Sequence, residues 1–250
     1  MAADQEKGTV RAVERALDIL LCFSGTETEL GLSDIAKKLG LHKSTVHRLL
    51  ASLESKGFIR RTRSEKYRLG WSVLELVSNI YQSDDLSSIV LPEMTRLRDL
   101  LGETISLYIR SGLERIRIQA VESNQPVRRV ANIGKRLPLH VGASGKVLLA
   151  FSDRSVIEEL LDDPSWPADV SKDEFLAALD NVREQRFALS IEEREPGAAA
   201  VAAPILSRTG EIVAALSVSG PVDRFTAEAI ERHAHALKQS SDILTKMLTH

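Results

Sequence analysis

Apolar residues recur three and four positions apart over residues 10–23, at Val10, Val13, Ala16, Leu17, Leu20 and Leu21, a spacing that predicts an amphipathic helix. The polar, glycine-bearing stretch 24–31 ends it. A shorter stripe at Ile35, Ala36 and Leu39 predicts a second helix, with Ser33 placed to cap its start and Gly40 to terminate it. A third helix follows at once over 42–57, with Val46, Leu49, Leu50 and Leu53 on its inner face and Gly57 at its end. Residues 58–70 then read as two short strands around a polar turn, with Phe58, Ile59, Tyr67 and Leu69 expected to pack on the helices. Two short helices joined across a glycine turn and followed by a hairpin describe a winged helix-turn-helix.

Beyond residue 70 the pattern changes twice. Residues 71–82 and 86–101 are helical and are separated by Ser83, Asp84 and Asp85, an acidic break that marks the expected domain boundary. Leu74, Leu76, Val77 and Ile80 spread around the first of these helices and need a surface to cover them, for which a partner subunit is the natural candidate. From Thr104 onward apolar and polar residues alternate over 104–110 and 115–121, with a turn at Gly112. They alternate again over 198–206 and 212–219, around Arg208, Thr209 and Gly210. Helical patterns cover 144–151, 155–161, 172–185 and 226–248. An antiparallel sheet with helices segregated around it is an α+β fold. The expected division is 1–70 for the winged helix-turn-helix, 71–84 for a linker helix and 85–250 for a ligand-sensing domain.

Charge sharpens the first of these assignments. The formal net charge is −2, yet residues 37–68 carry ten Lys and Arg against only Glu54 and Glu65, a net of +8. The flanking segments 1–36 and 69–250 carry −4 and −6. A basic island in an acidic chain suits a face for a polyanion, and its placement on a winged helix-turn-helix points to double-stranded DNA. Lys43, Ser44, Thr45, His47 and Arg48 lie at the start of the third helix, where free N–H groups seat on phosphate and side chains enter a groove. Arg61, Arg63, Lys66 and Arg68 on the hairpin are placed to reach phosphate or the minor groove.

Composition narrows the rest. With 43% hydrophobic and 27% charged residues the chain is neither disordered nor fibrous. Its longest apolar runs, such as 198–206, fall well short of the ~20 residues of a membrane span. The first residues place acids ahead of any apolar stretch, unlike a secretory signal, and the single cysteine, Cys22, has no internal disulfide partner. The expected compartment is the reducing cytosol. His42 and His47 do not share a helical face, so no metal is expected, and no cofactor.

Residues 142–146, Gly-Ala-Ser-Gly-Lys, invite two enzymatic readings. A phosphate-binding loop requires glycine five residues before Gly145, where His140 stands, and Ser or Thr after Lys146, where Val147 stands. A nucleophile elbow requires one residue between serine and the second glycine, but Gly145 follows Ser144 directly. What remains is the backbone: small residues opening a helix leave N–H groups free for a carboxylate. Glu192, Glu193 and Glu195, interleaved with Arg194, read as a polar loop, while Arg128 and Arg129 fit a pocket and a surface equally well. Gly197, Ala198 and Ala200, with Ser217 and Ser219 from the next strand, leave space and offer hydrogen bonds. A hydrolase or transferase with an accessory DNA-binding domain is the alternative, and it lacks a recognisable set of nucleophile, base and orienting group. A protein-binding adaptor is a third.

The run LSDIAKKLGLHKSTVHRLLASLESKGFIRR with KYRLG, followed by LPLHVGASGKVLLAF, SIEEREPGAAAVAAPI and GEIVAALSVSGPVDRF, resembles the IclR family of bacterial transcriptional regulators from about residue 9 to 248. The resemblance implies a regulator, more often a repressor of a catabolic operon, in which the linker helix helps pair the DNA-binding domains on a palindromic operator. It implies a homodimer, with a dimer of dimers left open. It also implies a GAF-like C-terminal domain holding a small organic-acid effector, with a loop at Glu192, Glu193 and Glu195 capping the pocket. The positions matching the family's effector contacts are Gly142, Ala143, Ser190, Ala198, Ala200, Ser217 and Ser219. Ser190 stands where some members carry an acid, and Ala198 and Ala200 are smaller than the residues other members carry there.

Overall fold

A computed structural model describes residues 8–25, 27–83 and 85–247. The chain forms two compact units, 1–83 and 84–250. Asp84, named above in the acidic break, lies outside the described residues.

In the first unit, α1 (Arg11–Leu21), α2 (Leu32–Leu39) and α3 (Lys43–Ser55) enclose a core of Ile19, Phe23, Leu30, Ile35, Val46, Leu50, Ile59 and Tyr67. The hairpin strands β1 (Ile59–Arg61) and β2 (Tyr67–Leu69) pair antiparallel, and Leu30 bridges to Tyr67 through two backbone hydrogen bonds, 2.9 and 2.8 Å. That third short rung anchors the wing to the residues preceding α2. Gly70 closes the hairpin: a Cβ there would sit 2.0 Å from the Gly57 carbonyl oxygen, so only glycine lets the two backbones meet. The helix α4 (Trp71–Ser83) completes the unit.

Three expectations are corrected here. Ser33 does not cap α2. The helix begins at Leu32, two residues earlier than a Ser33 cap would allow, and the Asp34 carboxylate reaches back to accept the Gly31 N–H at 3.1 Å, the acidic half of a capping box. Leu69 is exposed rather than packed on the helices, because β2 ends there and only Tyr67 meets the core. On α1 the apolar set divides into two faces. Ile19 is fully buried, whereas Val10, Val13, Leu17 and Leu21 form an exposed stripe.

The second unit is built on a six-stranded antiparallel sheet, spatial order β5-β4-β3-β8-β7-β6. Its strands are β3 (Thr104–Ser111), β4 (Glu114–Val121), β5 (Arg136–Pro138), β6 (Ala188–Ile191), β7 (Ala198–Leu206) and β8 (Ile212–Pro221). The short β5 and β6 have too few alternating positions to stand out in the sequence. Helices α5 (Asp85–Leu101) and α9 (Ala227–Met247) cover one face, where Ile105, Leu107, Val201, Leu216 and Val218 meet Met94, Leu97 and Leu237. The other face is covered by α6 (Ala143–Ala150) and α8 (Lys172–Gln185), with α7 (Arg154–Asp162) beside them.

That second face is unusual in composition. Register places Ser190, Ala200 and Ser219 in one row across β6, β7 and β8, and Ala202, Ser217 and Ser106 in the next across β7, β8 and β3. Such small residues leave room beneath the covering helices. A bulge at Ile118 shifts the β3–β4 register, so that Tyr108 opposes Arg117 and Ile109 opposes Ile116. Without the extra residue Arg117 would enter the apolar layer under α5. With it, Arg115 and Arg117 point to the small-residue face, alongside Tyr108.

Candidate nucleic-acid interface and ligand pocket

The helix α3 opens at His42, whose backbone is extended, and its first intrahelical bonds run from Thr45 and Val46 to the His42 carbonyl. The preceding N–H groups, on Lys43 and Ser44, are therefore free at the positive end of the helix. Lys43, Ser44, His47 and Arg48 are exposed, and Thr45 is half-buried. Because residues four apart stack on a helix, Ser44 lies beside Arg48 and Lys43 beside His47. On the wing, Arg61, Arg63, Lys66 and Arg68 are exposed. Arg61 is committed to an ion pair with Glu65, whereas Lys43, Arg48, Arg63, Lys66 and Arg68 form no ion pair among the described residues. The neighbouring Arg60 stacks its guanidinium 5.2 Å from the centre of the Trp71 ring.

In the second unit Gly142, Ala143, Ser190, Ala198, Ala200, Ser217 and Ser219 come together around one cavity of about 50 Å3. Gly142 takes a positive φ of 87° at the start of α6 and donates its N–H to Glu193 at 2.9 Å. Glu193 also pairs with Lys146, which donates to the Leu189 carbonyl at 3.1 Å, so the loop after β6 is tied down to α6. Gly145 is required by contact, since a Cβ would lie 2.3 Å from the Leu139 carbonyl oxygen and 2.7 Å from Arg115 Nη1.

The sequence reading missed the buried part of the cavity's charged wall, Tyr108, Arg115 and Arg117. Arg129, for which a pocket and a surface fitted equally well, and Arg194 and Glu195 of the loop after β6 complete the lining. Arg115 is 2% exposed and donates to the Pro138 carbonyl, and its Nε has no partner. Burial pushes its guanidinium down to about 10, against the attraction of the Tyr108 hydroxyl. Arg117, 6% exposed, donates to the Tyr108 hydroxyl at 3.0 and 2.5 Å and to the Asn132 carbonyl at 3.4 Å. Neither forms an ion pair with a carboxylate among the described residues, although Glu193 is near enough to attract Arg115. Arg129 and Arg194 share one, Glu195, and the hydrogen bond from Arg129 holds that carboxyl below its usual range. Arg128, by contrast, pairs with Glu122 at 3.2 Å on the surface, beside a second cavity of about 270 Å3 that also touches Arg117, Arg129 and Arg194. The available signal was the alternation Arg115, Ile116, Arg117, Ile118, which reads equally as a half-exposed strand.

Among the described residues no cluster of His, Cys, Asp or Glu could hold a metal ion, and no helix is long and apolar enough to cross a membrane.

A winged helix-turn-helix joined to a second, α+β unit defines a class of two-domain DNA-binding proteins. Family models for the IclR helix-turn-helix domain and for the C-terminal domain of bacterial IclR transcriptional regulators match residues 12–63 and 78–245, so the chain belongs to the IclR family. It is 34% identical over 245 residues to the HTH-type transcriptional regulator XynR of Escherichia coli (strain K12), covering 96% of this chain and 97% of that one. An IclR regulator structure from Alicyclobacillus acidocaldarius superposes with a TM-score of 0.82 at 27% identity, over 95% and 98% of the two chains. An IclR homolog from Microbacterium hydrocarbonoxydans, complexed with 4-hydroxybenzoate, superposes with a TM-score of 0.81 at 26% identity, over 94% and 98%. The chain is a DNA-binding transcriptional regulator, in a family of regulators rather than enzymes.

Proposed function

We propose that this regulator is a homodimeric repressor of a catabolic operon, bound to a palindromic operator and released from it by a small organic acid. Residues 1–70 grip DNA, 71–84 link, and 85–250 bind the acid. Repression is the simplest sign, because occupancy of a promoter by the winged module suffices for it. Such a protein works in the cytoplasm, where its operator is.

The observation that carries the reading is the convergence of the first turn of α6, the hydroxyls of Ser190, Ser217 and Ser219, and buried guanidinium groups on a single cavity. Each of these favours an anion. That the Microbacterium homolog holds an organic acid is consistent with it. Dimerisation is supported by two exposed apolar sets on the first unit, Val13, Leu17 and Leu21 on α1 and Trp71, Leu74 and Leu76 on α4. A palindrome then follows from two-fold symmetry. In this reading Lys43, Ser44, Thr45, His47 and Arg48 enter the major groove, and Arg61, Arg63, Lys66 and Arg68 hold the backbone.

An effector acts only through different affinities for two arrangements of the protein; a coupling of about 1–3 kcal/mol changes operator affinity roughly 5 to 150-fold. The test is a thermal-shift screen of small acids, followed by operator binding with and without the hits. Ala200→Phe is expected to fill the cavity, abolishing the effector response while the winged module still binds DNA. An unchanged effector titration in that variant would place the ligand elsewhere. Sedimentation at operator-binding concentrations separates dimer from dimer of dimers, and a monomer would contradict the palindrome.

A further inference from the structure

Resting on the pocket reading above, we propose that the effector is a dianion, a short dicarboxylate, rather than an acid with a single negative charge. The cavity wall sets four guanidinium groups, Arg115, Arg117, Arg129 and Arg194, against one carboxylate, Glu195. Glu195 is shared by Arg129 and Arg194. The nearby Glu193 is occupied by the Gly142 N–H and Lys146. Among the described residues Arg115 and Arg117, the two most buried, donate hydrogen bonds to the Pro138 and Asn132 carbonyls and the Tyr108 hydroxyl, and both guanidinium groups lie within 6 Å of the Tyr108 ring centre, 5.7 and 5.1 Å away, but neither forms an ion pair.

Carbonyls and hydroxyls hold a guanidinium in place but do not neutralise it, and desolvated cations strongly favour a site where counter-charge arrives with the ligand. One monoanion would leave an excess of positive charge; two negative charges come close to balancing it. Arg115 also packs where a Cβ on Gly142 would come within 3.1 Å of its Nη2. Its cation therefore lies against the positive end of α6, where the Glu193 carboxylate on the Gly142 N–H offsets part of the repulsion and a bound anion would offset more. The Nε of Arg115, buried and without a partner, is a donor still to be filled.

Size and shape agree. A cavity of about 50 Å3 holds roughly four water-sized sites at ~10–15 Å3 each, enough for one carboxylate and a short carbon stem. Arg115 borders only this inner space, whereas Arg117, Arg129 and Arg194 also border the adjoining cavity of about 270 Å3. The inner carboxylate is assigned to Arg115 and the first N–H groups of α6, and the outer one to Arg117 with Arg129 and Arg194. Ser217 and Ser219 lie between, suited to hydroxyl groups on the stem.

The experiment is titration calorimetry of the full chain with succinate and tartrate, against butyrate, lactate, monomethyl succinate, 4-hydroxybenzoate and inorganic phosphate. The expected result is binding of a dicarboxylate at least about tenfold tighter than its monoanionic counterpart, with monomethyl succinate behaving like butyrate. In Arg117→Met that preference falls by about tenfold or more, and Arg117→Lys restores part of it. The ester comparison uses the unaltered protein and stands even if a variant fails to fold. Monoanions binding as tightly as dicarboxylates, in a manner blocked by Ala200→Phe, would overturn the dianion and leave the pocket reading intact. Phosphate binding in place of every dicarboxylate would overturn the carboxylate assignment. No binding of any of these acids would overturn both.

Discussion

The two units use arginine in opposite ways. On the first, Arg48, Arg63 and Arg68 are exposed and form no ion pair among the described residues, on a face whose charge is dense in sequence and open to solvent. On the second, Arg115 and Arg117 are almost wholly buried, in a segment whose net charge is negative. Exposed cations are cheap to keep and are screened by salt; they suit a partner that is itself a long polyanion with loosely held counterions. Buried cations are costly to keep and are scarcely screened; they suit a small ligand that must be told apart from its neighbours. Local charge density thus marks a surface for DNA, whereas isolated arginines alternating with isoleucine in an acidic domain can mark a pocket for an anion.

The comparison is broken most readily at Arg48. Arg48→Ala is expected to weaken binding to a selected operator by about 1–3 kcal/mol, roughly 5 to 150-fold, and to relax base preference at one position. Anisotropy titrations on operator and scrambled duplexes check this, and equal losses on both would remove the base-reading role. Arg63→Ala is expected to act differently: a loss similar on all sequences, and a salt slope shallower by about 1. An unchanged slope would take Arg63 off the phosphate backbone. The smallest effect is expected inside the second unit. Arg117→Met should destabilise the ligand-free protein by no more than about 1 kcal/mol in thermal or urea unfolding, because it keeps an apolar stem in place of a buried cation that has no ion pair among the described residues. A loss of several kcal/mol would mean that Arg117 is a structural anchor.

Much of this molecule is legible along the chain, because its long elements carry strong periodicity. The helices around Val46 and Leu50 and the strand pairs around Leu107 and Leu216 follow from spacing. Details decided by a single contact do not. Ser33 and Asp34 both suit a helix start, and which one caps α2 depends on where the chain turns at Gly31. Val13, Leu17 and Leu21 have the spacing of a core face, yet the core lies on the side of Ile19. In the pocket, the row of small residues at Ala198, Ala200, Ser217 and Ser219 is visible as alternation, and the family resemblance supplies its meaning. Arg115 and Arg117 were hidden because their direction depends on the bulge at Ile118, a one-residue change of register that leaves no mark in composition.

The most direct test of the account is the affinity of the full-length protein for a selected operator duplex, followed by anisotropy at fixed salt while succinate or tartrate is added, with butyrate at equal ionic strength as the control. The account predicts that a dicarboxylate weakens operator binding at least about fivefold while butyrate at the same concentration does not. Operator affinity that is strong and salt-dependent, yet indifferent to both classes of acid, would contradict it.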